Sequence, residues 1–165
     1  MGDEMTKLKI PKSIKYIISD FDGIITDNCV YVDNNLNATR KINFKDMIGL
    51  SRLKKAGIEI IFVSGEKNAI IDMLTDRFHL AENHQNIRVK IDVLKDIISR
   101  YNLKDNEYLY MGDDINDLEC LEYSKIKITV PNAVNRIKKI KKIQITNAQG
   151  GDGAFREVAD CLLNL

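Results

Sequence analysis

A doubly wound, Rossmann-like α/β fold, with one parallel sheet covered by helices on both faces, follows from three features of this 165-residue chain. Short runs rich in Ile, Val and Tyr alternate with longer stretches whose apolar residues recur at helical spacing, the order a parallel sheet requires. Several of the short runs end abruptly in acidic residues or glycine, as buried strands do where they give way to a loop. Only two prolines, Pro11 and Pro131, interrupt the chain, and it carries no internal repeat.

The elements follow in order. Residues 14–21 (IKYIISDF) form an apolar run closed by Asp20, Asp22 and Gly23, hence a first buried strand. An insertion of about 27–43 then breaks the alternation. Within it, residues 29–43 hold two β-like runs around Asp33-Asn34-Asn35, a turn-prone cluster, so a small β-hairpin is expected. Helical spacing over 44–56 and 67–78 flanks a second strand at 58–63 (IEIIFV), which ends at Ser64-Gly65. In residues 90–101, Ile91, Leu94, Ile97, Ile98 and Tyr101 share one apolar face of a third helix. A strand at 108–111 (YLYM) ends at Gly112-Asp113, a helix is expected over 115–123, and residues 126–130 supply a fourth strand. The basic stretch 136–142 reads as a solvated helix face.

Composition narrows the function classes. A mass of 18.8 kDa with 44% hydrophobic and 30% charged residues fits one globular domain, 1–165, with a sizeable core. A net charge of +1 removes the electrostatic argument for a nucleic-acid partner. No apolar run approaches the ~20 residues that span a bilayer. The start MGDEMTKLKI lacks the apolar core of a signal peptide. Cys29, Cys120 and Cys161 are odd in number and lack CxxC spacing, which suggests neither a disulfide framework nor a zinc site. A soluble, cytoplasmic protein with no membrane partner is expected.

The chemistry lies at the strand ends. Ligands of parallel α/β sheets bind outside the carboxyl ends of the strands, and four such places carry polar groups: Asp20-Phe21-Asp22, Ser64-Gly65, Lys90 opening a helix, and Gly112-Asp113-Asp114. One Asp at a strand end is more often a helix cap or turn former. That bland reading weakens when four ends of one sheet carry matching groups in order. Carboxylates so close repel unless a cation sits between them or their pKa values rise. An all-oxygen site with room for water and a phosphate suits Mg²⁺. Lys90 adds a compact positive charge, and Ser64 a hydrogen bond to a phosphoryl oxygen. Together these are the parts of phosphoryl transfer through an aspartyl-phosphate.

Asp20-Phe21-Asp22-Gly23-Ile24-Ile25-Thr26-Asp27 resembles the DxDGxxTD signature of the haloacid dehalogenase superfamily of phosphatases. Ser64, Lys90 and Gly112-Asp113-Asp114-Ile115-Asn116-Asp117 resemble its second, third and fourth motifs, over nearly the whole chain. The chain looks closest to the branch without a cap domain that contains 3-deoxy-D-manno-octulosonate 8-phosphate phosphatases and their nine-carbon relatives. The hairpin and the tail Gly150-Gly151-Asp152-Gly153-Ala154-Phe155-Arg156-Glu157, similar to a GGxGAxRE signature, point to that branch. The resemblance implies that Asp20 is the nucleophile and Asp22 the acid and base. It implies Mg²⁺ held by Asp20, the Asp22 carbonyl and Asp113. Ser64 and Lys90 would bind phosphoryl oxygens, with Asp117 or Asp114 orienting Lys90, and Gly65 and Asn116 would line the substrate site. It also implies a homotetramer, in which the tail, about 148–165, closes a neighbour's site and offers Arg156 to the sugar acid's carboxylate. The alternative for Arg156 is a surface helix pairing with Glu157 or Asp160.

Substrate choice turns on Glu66. The eight-carbon phosphatases usually show Gly-Arg where this chain has Gly65-Glu66, and Gly-Glu resembles the enzymes of nine-carbon 2-keto-3-deoxy acids. The expected reaction is therefore hydrolysis of a sugar acid phosphate: first a nonulosonate 9-phosphate, with octulosonate 8-phosphate as the alternative. Arg77 is a candidate partner for Glu66 across a curved or subunit-shared surface, Asn43 and Asp46 are candidate sugar contacts, and the favoured role of Asp46 is to cap the helix that follows it. Near Pro131 the family often has Ala-Asp-Ala where this chain has Val-Pro-Asn-Ala-Val, and Asn132 is expected to cap a helix. Two rivals of other classes are a non-catalytic assembly module of the kind attached to cytidylyltransferases and a phosphoacceptor receiver domain. The intact acidic set argues against the first and the order of the acids against the second. Transfer to an acceptor other than water stays open.

Overall fold

A computed structural model describes residues 7–165. Residues 1–6, most of the start expected to lack a signal peptide's apolar core, lie outside the described residues. Among the described residues, strands β1 (Tyr16–Ser19), β4 (Glu59–Val63), β5 (Glu82–His84), β6 (Tyr108–Met111), β7 (Lys127–Thr129) and β8 (Gln144–Ile145) form one parallel sheet in the order β5-β4-β1-β6-β7-β8. Strands β2 (Tyr31–Val32) and β3 (Ala38–Thr39) pair antiparallel in the inserted hairpin. Asp33 closes its turn by accepting the Asn35 and Asn37 amides at 2.8 and 2.9 Å.

β1 runs through the middle with Ile17 and Ile18 fully buried. Its register places Ser19 level with Phe62 of β4 and Met111 of β6. Asp20, Ser64 and Gly112-Asp113 therefore leave the sheet at one edge, within about a residue of each other. Phe21 meets Phe62 edge to face at 5.3 Å and seals the apolar layer beneath that edge.

Helices α1 (Phe44–Lys55), α2 (Ala69–Phe78), α3 (Lys90–Arg100), α4 (Leu118–Tyr123), α5 (Asn135–Lys138) and α6 (Ala154–Leu163) cover the sheet. The helix expected over 115–123 is divided. Residues Ile115–Asp117 form a 3-10 turn, because Asp114 and Asp117 build a capping box around it. No helix among the described residues is long and apolar enough to cross a membrane.

Two capping expectations are corrected. Asn43, not Asp46, caps α1, its side chain accepting the Lys45 amide at 2.9 Å. Asp46 is buried inside α1 and reaches across to the start of α6, accepting the Gly153 amide at 3.1 Å and the Arg156 amide at 2.9 Å. Burial pushes its carboxyl up to about 6 against the downward pull of those amides. Asn132 caps no helix; it accepts the Gly150 amide at 3.0 Å, and α5 has Val134 at its N-cap position, without a side-chain cap. The tail is thus folded onto its own chain. A Cβ at Gly150 would lie 1.7 Å from the Gly23 carbonyl oxygen, so the tail backbone presses directly against the loop after β1.

Candidate active site

Asp20 follows β1 directly, and its Oδ1 accepts the Phe21 amide at 2.6 Å. The same oxygen lies 2.9 Å from the ammonium of Lys90, the first residue of α3, whose side chain is wholly sealed from solvent. Lys90 also donates to Asp117 Oδ1 at 2.8 Å. That oxygen accepts the Tyr110 hydroxyl at 2.8 Å, while Asp117 Oδ2 accepts the amides of Asp113 and Asp114 at 3.1 and 3.3 Å. Asp117 is therefore the group that orients Lys90. Asp114 caps the 3-10 turn instead, accepting the Ile115 amide at 2.6 Å.

Asp22 is held from the other side. Its Oδ1 accepts the Thr26 hydroxyl at 3.0 Å and lies 3.1 Å from Nε of Arg40. Arg40 sits at the exit of the hairpin and was missed in the sequence. The signal for it was a basic residue closing an insertion that Asp22 all but opens.

The acidic groups converge. Oxygens of Asp20, Asp113 and Asp117 lie within 4.8 Å of one another. Burial pushes the Asp113 carboxyl up to about 7, helped by the charges of Asp117 and Asp114. Asp20 is held well above the carboxylate range, first by burial and then by Asp117, against the pull of Lys90. Asp113 Oδ2 accepts from Asn28 at 3.3 Å, while its Oδ1 is buried with no hydrogen-bond partner among the described residues. Asn28, too, was not singled out in the sequence. A buried carboxylate oxygen without a partner is costly unless a cation completes it. Asp117 is committed to Lys90, Tyr110 and two amides, which leaves Asp20 and Asp113 as hard oxygen donors, a set that fits Mg²⁺. Gly23 is required for this approach: at φ +88° its missing Cβ would lie 2.0 Å from Asp113 Oδ2.

A cleft of about 460 Å³ opens over these groups, within the range of small-molecule sites. Asp20, Asp22, Ser64, Gly65, Glu66, Asp113 and Asn116 all line it, with Lys90 buried beneath. Ser64 is fixed by main-chain bonds to His84 and Ile87, at 2.8 and 3.0 Å. Three other candidates lie elsewhere in the single chain. Asn43 donates to Asp152 at 3.2 Å, because it caps α1 at the tail. Arg77 stacks over Phe78 at 5.5 Å and is not among the residues that line the cleft. Within the single chain, Arg156 pairs with Asp160 at 2.6 Å along α6 and lines a separate groove.

A parallel sheet that gathers two carboxylates, a hydroxyl and a sealed lysine around a cation site is laid out as a hydrolase. The model of the haloacid dehalogenase-like hydrolase family matches residues 68–157, and the chain belongs to that family. It is 26% identical over 159 residues to the 3-deoxy-D-manno-octulosonate 8-phosphate phosphatase of Salmonella typhi, covering 96% of this chain and 82% of the relative. The crystal structure of the enzyme of that name from Moraxella catarrhalis, in complex with magnesium ion, phosphate ion and KDO, matches with a TM-score of 0.86 at 27% identity, over 93% of this chain and 87% of that one. The cobalt-bound deoxy-D-mannose-octulosonate 8-phosphate phosphatase of Haemophilus influenzae matches with a TM-score of 0.84 at 25% identity, over 93% and 89%. The resemblance and the fold expected from the sequence are both borne out.

Proposed function

We propose that the chain is a Mg²⁺-dependent phosphatase of 2-keto-3-deoxy sugar acid phosphates and that its substrate is 3-deoxy-D-manno-octulosonate 8-phosphate. The observation that carries the reading is the pairing of Asp20, gripped by Lys90, with a buried Asp113 oxygen that no group among the described residues satisfies. The similarity to eight-carbon phosphatases along 96% of the chain supports the substrate.

In this mechanism an Asp20 oxygen attacks phosphorus, and the bond from phosphorus to the sugar oxygen breaks. Asp22, held by Thr26 and Arg40, gives its proton to the departing alkoxide. It then takes a proton from the water that attacks the phosphoaspartate, releasing inorganic phosphate and restoring Asp20. Ser64 and the amides beside it hold the phosphoryl oxygens, and Lys90 offsets charge on Asp20 and the phosphoryl group. Asp20, the Asp22 carbonyl and Asp113 would hold Mg²⁺, which supplies charge neutralisation for the transferring group. A homotetramer, with the hairpin and a neighbour's tail near each cleft, belongs to the same proposal.

A second reading, a nine-carbon nonulosonate 9-phosphate, rests on Glu66, an acid on the cleft wall. The test is kcat/KM with Mg²⁺ for both substrates. The proposal expects the eight-carbon acid to be preferred by at least ~100-fold, equal to about 2.7 kcal/mol. The reverse preference makes Glu66 the selector of the longer acid. Turnover of neither, with no activity on other phosphate esters, makes the chain a non-catalytic module.

A further inference from the structure

Charge is unevenly spread on the cleft wall. Asp20, Asp22, Asp113, Asp114 and Glu66 contribute carboxylates, and Arg88 is the single basic residue among the lining groups. Of the cations that touch those acids, Lys90 is committed to Asp20 and Asp117 and Arg40 to Asp22, while Lys67, next to Glu66 in sequence, is not among the lining residues. Arg88 is exposed and, among the described residues, enters no ion pair.

Its position is fixed by the main chain. Arg88 lies in the loop between β5 and α3, two residues before Lys90. Just ahead of it, the Ile87 amide donates to the Ser64 carbonyl at 3.0 Å and the Asn86 amide to the Glu66 carbonyl at 3.5 Å. The loop is thereby stitched to the wall that holds Ser64 and Glu66, and Arg88 stands at the mouth while Lys90 lies at the floor.

We infer that Arg88 is the residue that receives the substrate's carboxylate and selects phosphate esters that carry one. The inference rests on the sugar-acid reading above. With the phosphoryl group at Asp20, the rest of the substrate extends along a wall of acids, where a carboxylate is repelled unless a cation meets it. A guanidinium offers the bidentate fork that a carboxylate fits. An unpaired side chain on a pinned loop leaves that fork available.

The experiment measures kcat and KM with Mg²⁺ for wild type, Arg88→Ala and Arg88→Lys. The substrates are octulosonate 8-phosphate and the matched open-chain pair 6-phosphogluconate and glucitol 6-phosphate, which differ in having a carboxylate or a hydroxymethyl group at C1. The selectivity of kcat/KM for 6-phosphogluconate over glucitol 6-phosphate falls by ~30-fold in Arg88→Ala, mostly through KM, as loss of a charged hydrogen bond predicts. Arg88→Lys recovers part of it, having the charge without the fork. An unchanged ratio in Arg88→Ala overturns the inference, and so does an equal loss on both esters, which would make Arg88 a phosphate ligand. If octulosonate 8-phosphate is not hydrolysed but Arg88→Ala still erases the carboxylate preference, the substrate reading fails and the role of Arg88 stands. A wild type that shows no preference for carboxylate-bearing esters overturns both.

Discussion

Lys90 Nζ stands 2.9 Å from Asp20 Oδ1 and 2.8 Å from Asp117 Oδ1, in a place closed to water. The ammonium is thus shared between the carboxylate read as nucleophile and one that never reaches the cleft. Burial alone would lower the pKa of Lys90, but Asp117 and Asp20 outweigh it and raise it, so the residue stays charged.

Replacing Lys90 by Met removes this shared charge. Two buried carboxylates are then left close together without a counter-charge, and breaking a buried pair costs about 3–5 kcal/mol. Lys90→Met should unfold at lower urea than wild type and lose at least ~100-fold in kcat. A variant of wild-type stability and activity would show that the ammonium contributes neither charge nor position.

The tail supports the loop after β1. Gly150→Ala would drive a methyl group into the Gly23 carbonyl, and Gly23 in turn leaves room for Asp113. Overpacking of this kind costs about 1–3 kcal/mol. Gly150→Ala should lower both Tm and kcat although it lies far along the chain from Asp20. Thermal melts and steady-state kinetics on one preparation check this; a normal kcat would uncouple the tail from the loop.

Mg²⁺ binding should depend steeply on pH. With the Asp113 carboxyl pushed up to about 7, the metal-free fold favours its protonated form, and that contribution to stability is lost as pH rises from the ordinary carboxylate range through about 7. A cation binds only the ionised form, so Mg²⁺ affinity should fall up to tenfold for each pH unit below about 7. The Tm gain on replacing EDTA with Mg²⁺ should accordingly be larger at pH 8 than at pH 5.5. Equal gains at both values would remove Asp113 from the cation site.

The strands that carry chemistry were legible because β1, β4 and β6 are almost wholly buried and read as largely apolar runs. β5, with the sequence ENH, is a partly exposed edge strand, and β8 has two residues, so neither has a hydrophobic signature. The partners of Lys90 and Asp20 were legible as motifs at strand ends. Arg40, Asn28 and Arg88 were not, because they enter the site through the hairpin and a loop whose path no local periodicity encodes. Asp46 was misplaced for a related reason: a carboxylate in a first helical turn usually serves its own helix, and only tertiary packing shows that it serves α6.

The central claim is that Asp20 carries the phosphoryl group. Mixing the protein with Mg²⁺ and octulosonate 8-phosphate, quenching in acid within one turnover and reducing with borohydride converts an acyl phosphate to an alcohol that peptide mass mapping can locate. The reduced side chain should appear at position 20, in proportion to the enzyme consumed, and be absent in Asp20→Asn, which should fold yet turn over below ~1% of wild type. Reduction at Asp22 or Asp113 would contradict it, as would full turnover by Asp20→Asn.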